Sequence, residues 1–185
     1  MKKLIISENI FEELSLYNKG NMQVVHTTDN LHYVVKKPKH VFYSDRELEL
    51  YELMEKHPTC FAGIYKIEPD EVWQEKLDEK KFIKDLTAVS LQFKDENYFN
   101  WIPKDFYTNI SEWNDAMIFA VLRDSNGDEF KKCMVNLSKS SFHFLKELIN
   151  VLKEIQKLEP SGLEFDIHSG QFGYDKKNRI KCFDI

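Results

Sequence analysis

Cysteine, glycine and proline are scarce in this sequence of 185 residues, with 3 Cys, 6 Gly and 5 Pro. Cys60, Cys133 and Cys182 are odd in number, widely spaced and never in a C-x-x-C pair, which argues against a disulfide framework and against a zinc site. So little Gly and Pro leaves no long flexible linker. Long apolar runs are also missing. Met1-Lys2-Lys3-Leu4-Ile5-Ile6 is broken at once by Ser7, Glu8 and Asn9, so no secretory leader is expected, and no stretch has the length of a membrane span. A cytoplasmic protein without a membrane partner is the expectation. An excess of positive charge is lacking as well: 26 Lys and Arg against 31 Asp and Glu give a net charge of −5, which speaks against general nucleic-acid binding. What is present, 42% hydrophobic and 14% aromatic residues, is ample for the core of one ordinary domain and excludes a disordered chain.

Apolar and charged positions in residues 3–17 recur in a helix-like manner and stop at Asn18-Lys19-Gly20. Met22 to Thr27 and Leu31 to Lys36 read as two strands of a hairpin, with Asp29 and Asn30 suited to its turn. Ser44 to Lys56 reads as a helix ended by His57-Pro58, and Phe61–Ile67 and Glu71–Leu77 as two further strands. From residue 78 the chain turns to helical segments and loops, with an aromatic stretch containing Tyr98, Phe99, Trp101, Phe106, Tyr107 and Trp113 that reads as core packing or a partner surface. The clearest helix is Ser141 to Leu158, where Leu145, Leu148, Ile149, Leu152 and Ile155 recur every three or four residues before Pro160-Ser161-Gly162. A short strand Leu163–Phe165, a polar loop Asp166–Tyr174, a turn at Asp175–Asn178 and a last strand Arg179–Phe183 complete the reading.

The loop Asp166-Ile167-His168-Ser169-Gly170-Gln171, followed by the strand ending in Asp184, resembles the D-x-H-x-G-N catalytic loop and metal-binding strand of the protein-kinase-like superfamily. Tyr33-Val34-Val35-Lys36 resembles the third-strand lysine motif, and Val72-Trp73-Gln74-Glu75-Lys76-Leu77 the strand leading into a hinge, with Gln74 at the gatekeeper position. The resemblance runs from about Gly20 to the end. It implies an α+β, two-lobed kinase-like fold: an antiparallel N-lobe over residues 1–77 and a shortened, mainly helical C-lobe over 78–185. It also implies ATP and Mg²⁺ (or Mn²⁺) as cofactors. Asp166 would then be the catalytic base or hydroxyl orienter, and Gln171 and Asp184 the metal ligands. Lys36 would contact the phosphates, the backbone of Glu75 and Leu77 the adenine edge, and Gly20 the nucleotide as the remnant of a glycine-rich loop. Glu47 has two readings that the residues leave open: an ion-pair partner of Lys36, or the return side of a capping box begun by Ser44.

Two departures from that pattern bear on function. The glycine-rich loop keeps a single Gly, and Gln171 replaces Asn, moving its amide by a methylene. The expected activity is phosphotransfer from ATP to Ser or Thr hydroxyls, in a small kinase-like effector of the kind phages direct at host proteins. The alternative is a pseudokinase that binds and inhibits a host or defence protein without chemistry. A small-molecule kinase, the third class, requires an acidic substrate pocket in the second half.

Overall fold

The computed structural model describes residues 15–19, 23–27, 32–100, 102, 109–158 and 167–184. The chain divides into two compact units, Met1–Leu77 and Asp78–Ile185. The first holds an antiparallel five-stranded sheet in the order β1-β2-β3-β5-β4. Its strands are β1 (Ser15–Lys19), β2 (Gln23–Thr27), β3 (Tyr33–Pro38), β4 (Ile64–Glu68) and β5 (Glu71–Glu75), and α1 (Asp45–Lys56) lies between β3 and β4 in sequence.

The helix expected over 3–17 is not what residues 15–17 form; residues 3–14 lie outside the described part. Ser15 to Lys19 pair with β2, with a register shift between Leu16 and Asn18. Ladder bonds to a neighbouring strand outweigh a weak helical propensity, and an irregular edge strand is the usual end of such a sheet. The other four strands and α1 fall where the patterning placed them, within a few residues.

Tyr33, Val34, Val35 and Lys36 are all buried, because β3 has strands on both sides and the β-branched residues suit a covered, pleated surface. Pairing of Val34 with Gln74 and of Lys36 with Val72 puts these four residues on one face. Tyr33, Val35 and Trp73 form a buried cluster on the other, where the Tyr33 and Trp73 rings lie 4.9 Å apart. Trp73 Nε1 donates to Glu71 Oε1 (2.8 Å), which also accepts from Lys66 Nζ (2.7 Å).

Burial alone would push the Glu71 carboxyl up. The bonds from Lys66 and Trp73 and the nearby Lys37 charge instead hold it below the usual carboxylate range. As pH falls the unfolded chain therefore takes up this proton first. The contribution of Glu71 is complete above the unfolded value of about 4.3 and is lost as pH drops through the lower folded value. Urea midpoints measured from pH 7 to 3 should show the wild type losing its advantage over Glu71→Gln towards the acid end; a constant gap would contradict this.

The second unit contains α2 (Glu79–Asp95), α3 (Ile110–Asp124), α4 (Asp128–Val135) and α5 (Lys139–Gln156), then a 3-10 turn (Ser169–Gln171) and a hairpin of β6 (Phe172–Tyr174) and β7 (Ile180–Cys182). Asp78 caps α2 by accepting from Lys81 N–H (3.0 Å) and pairs through its backbone with Tyr174. Phe82, Leu86, Val89 and Phe93 form the buried stripe of α2, and Phe144, Leu145, Leu148, Leu152 and Ile155 that of α5. Phe82 stacks on Phe172 (5.4 Å) and meets Phe144 (5.5 Å), so two helices and the hairpin share one aromatic centre.

The stretch expected to be a polar loop to Tyr174 closes earlier. Phe172, Gly173 and Tyr174 are all buried and pair with β7. Of the aromatic stretch, Phe99 is buried and packs on Phe93 and Trp113, which supports core packing there. Trp101, Phe106, Tyr107, the expected strand 163–165 and the Pro160-Ser161-Gly162 stop lie outside the described residues. The α+β class, with an antiparallel sheet first and a mainly helical second part, is the observed one.

Candidate functional site

In the first unit, Lys36 is 2% exposed. Its ammonium lies 5.6 Å from the centre of the Tyr51 ring of α1. Gln74, on the same sheet face, is fully buried, and neither its side-chain oxygen nor its nitrogen has a hydrogen-bond partner among the described residues. An amide so placed loses its water without replacement, at about 1–3 kcal/mol, and such groups mark places where a polar ligand or water belongs.

Glu47 resolves one of the open readings in the direction of the cap. Its Oε2 accepts from Ser44 N–H (2.7 Å) and from Ser44 Oγ (2.6 Å), while Glu47 N–H donates to Ser44 Oγ (3.3 Å). Glu75 donates its N–H to Gly63 O (2.7 Å), and its Oε2 accepts from Gly63 N–H (3.2 Å). Leu77 is buried, and Gly20 lies outside the described residues.

In the second unit, Asp166 lies outside the described residues, and the loop is seen from Ile167 onward. Gln171 is buried, and its Oε1 accepts from His168 N–H (2.9 Å), closing a capping box around the 3-10 turn. The longer side chain thus folds back onto the loop. A metal would have to share that oxygen with a backbone donor. Ser169 N–H donates to Asp115 Oδ1 of α3 (2.8 Å), and Gly170 N–H to His168 Nδ1 (3.1 Å). Phe183 N–H donates to Gln171 O (2.8 Å), tying the segment before Asp184 to the loop.

Asp184 is partly buried, and its backbone carbonyl accepts from the Cys182 thiol (2.8 Å). Its carboxylate is a hard oxygen donor of the kind Mg²⁺ takes, since that ion is bound through one or two carboxylates together with substrate phosphates and water. Among the described residues no three His, Cys, Asp or Glu side chains converge on one point. No described helix is long and apolar enough to cross a membrane.

A groove of about 260 Å³ lies along α2, α5 and the hairpin, lined by Lys81, Asp85, His143, Glu147, Tyr174 and Asn178 among others. Its acids are already engaged: Asp85 Oδ2 accepts from the Tyr174 hydroxyl (2.8 Å) and Glu147 Oε1 from Ile180 N–H (2.8 Å). Lys81 lies over the Tyr174 ring at 4.0 Å and bonds Asn178. Burial and the bond to Asp85 push the Tyr174 hydroxyl up, so it stays a donor.

Sequence reasoning missed Asp115. It stands 54 residues before the loop it holds, and no local spacing links the two.

No protein-family model matches the chain, and no curated protein matches it. Solved structures similar to it include a choline kinase, LicA, from Streptococcus pneumoniae, at 14% identity and a TM-score of 0.36, covering 96% of this chain and 65% of that one. A choline kinase from Cryptosporidium parvum matches at 13% identity and a TM-score of 0.35, covering 93% of this chain and 57% of that one. A Plasmodium vivax ethanolamine kinase matches at 10% identity and a TM-score of 0.36, covering 97% of this chain and 58% of that one. The chain thus spans less than two thirds of the length of each.

Proposed function

We propose that the chain is an ATP- and Mg²⁺-dependent phosphotransferase acting on Ser or Thr hydroxyls, in the setting of a phage effector directed at a host protein. The observation that carries this reading is Lys36, a lysine 2% exposed on the third strand of an antiparallel sheet. A lysine is seldom buried to this degree, and its strand carries the sequence motif of a phosphate-contacting lysine. The order of Lys36, Asp166, Gln171 and Asp184 along the chain supports it further.

Phosphoryl transfer asks little covalent chemistry of the protein and much positioning and charge neutralisation. Lys36 would meet the α and β phosphates, Asp166 would orient the attacking hydroxyl and accept its proton, and Asp184 would hold the ion. Bound Mg²⁺ supplies neutralisation of charge on the phosphate oxygens. Gln171 would contribute its amide oxygen while also holding the loop. Glu75 and Leu77 would offer backbone groups to the base, and Gly20 would lie near the nucleotide. Glu47 serves as the helix cap in this reading.

A pseudokinase that works by binding a protein is the second reading, and one observation favours it: Gln171 and Glu47 both direct their oxygens to backbone donors of their own segments. Turnover separates the two. Wild type with ATP and Mg²⁺ should release ADP, and Asp166→Ala should lower that rate by a factor of about a hundred or more while leaving ATP binding intact. ATP binding without turnover in the wild type would move the reading to the pseudokinase.

A further inference from the structure

Three consecutive backbone N–H groups just after Asp166 are each held by a side chain. His168 N–H goes to Gln171 Oε1, Ser169 N–H to Asp115 Oδ1 and Gly170 N–H to His168 Nδ1. Gln171 and His168 belong to the loop and move with it. Asp115 does not: it belongs to α3, and its bond to Ser169 ties the loop to the helical frame.

That helix is firmly seated. Asn114, next to Asp115, is 1% exposed, accepts from Ser90 Oγ (3.0 Å) and donates to Thr87 Oγ1 (3.0 Å) on α2. Met117 and Ile118 are buried one turn further on. Ser169 is itself only 5% exposed, so its amide has little water to turn to if the carboxylate is removed. A charged acceptor on a buried amide is among the stronger hydrogen bonds.

We propose that Asp115 is a positioning residue that sets the backbone of residues 168–170, and with it the approach of the loop residues that the phosphotransferase reading puts to work. It touches neither nucleotide nor acceptor; its effect passes through Ser169. In its functional part the proposal rests on that reading, whereas the anchor itself does not.

The test uses the full chain as wild type, Asp115→Ala and Asp115→Asn, with amide hydrogen exchange read residue by residue and ATP turnover measured with Mg²⁺. Asp115→Ala should speed exchange at Ser169 roughly tenfold or more and leave the core amides of α2 and α5 unchanged. Asp115→Asn, which keeps an acceptor of the same shape, should restore most of the protection. In turnover, Asp115→Ala should lower kcat by about ten- to a hundredfold with KM for ATP nearly unchanged, again rescued by Asn. Unchanged exchange at Ser169, or faster exchange with an unchanged kcat, overturns the proposal. If Ala loosens every amide, Asn decides: a protected Ser169 upholds the anchor, and free exchange there over an intact core overturns it. If the wild type neither binds nor turns over ATP, the phosphotransferase reading fails and exchange alone decides the anchor.

Discussion

Phe82→Ala should destabilise the Asp78–Ile185 unit by about 3–5 kcal/mol, the range for emptying a fully buried aromatic site. Phe82 is 0% exposed and is where α2, α5 and the β6–β7 hairpin meet, through Phe144, Phe172 and Tyr174. None of the three rings is free to fill the space, because Phe144 is fixed in α5 and Phe172 and Tyr174 in β6. Since whole domains are stable by only about 5–15 kcal/mol, the variant should sit close to unfolding at room temperature. Phe172 directly follows Gln171, so loss of packing there also frees the loop on its C-terminal side. Urea titration of wild type and variant measures the change; a loss under about 1 kcal/mol would mean that the cluster is not the centre of this unit.

Removing the Asp175 carboxylate should cost nearly as much, about 2–3 kcal/mol from the loss of charge-assisted bonds. Asp175 is 6% exposed. Its Oδ1 accepts from Lys177 N–H (2.9 Å) and Arg179 N–H (2.8 Å), and its Oδ2 from Arg179 Nε (2.7 Å). The Arg179 side chain is more than half exposed, so its share is discounted for solvent screening; the two backbone bonds dominate. They close the turn in which Asn178 adopts a φ of 60°, a left-handed geometry that Asn tolerates better than most residues. Burial would raise the Asp175 carboxyl, yet the donors around it hold it below its ordinary value. Asp175→Ala should therefore lower Tm measurably, with Arg179→Ala falling well short of it. Equal losses would place the energy in the ion pair instead of the turn.

How much was legible in the sequence follows the strength of local signals. Ser44-Asp45-Arg46-Glu47 states its own cap, and Tyr51 and Met54 return to one face, so α1 could be placed from residues alone. The β-branched run at Val34 and Val35 and the long stripe of α5 were equally plain. The helices between 78 and 138 were not, because their patterns are mixed: in α3, Asn114 is buried while Phe119 is half exposed. A polar pair such as Ser90 and Asn114 satisfies itself across two helices, which no one-dimensional pattern shows.

The candidate site divides in the same way. Residue types and their order pointed to Lys36, Gln171 and Asp184, but the direction of a side chain is a tertiary property. Glu47 and Gln171 carry oxygens that serve a cap or a ligand equally well on paper, and the geometry turns both to backbone N–H groups. At residues 15–17 the helical rhythm expected over 3–17 gives way to pairing with β2, the next strand along the chain.

Calorimetric titration of ATP into the full chain, with and without Mg²⁺, tests the central claim most directly, on wild type, Lys36→Ala and Asp184→Ala. The account predicts binding that requires the metal and is lost in both variants while their folds persist. It also predicts a stabilisation of about 2.7 kcal/mol when ATP stands at a hundredfold excess over its dissociation constant. Absence of binding under every metal condition, or binding that both variants retain, would contradict it.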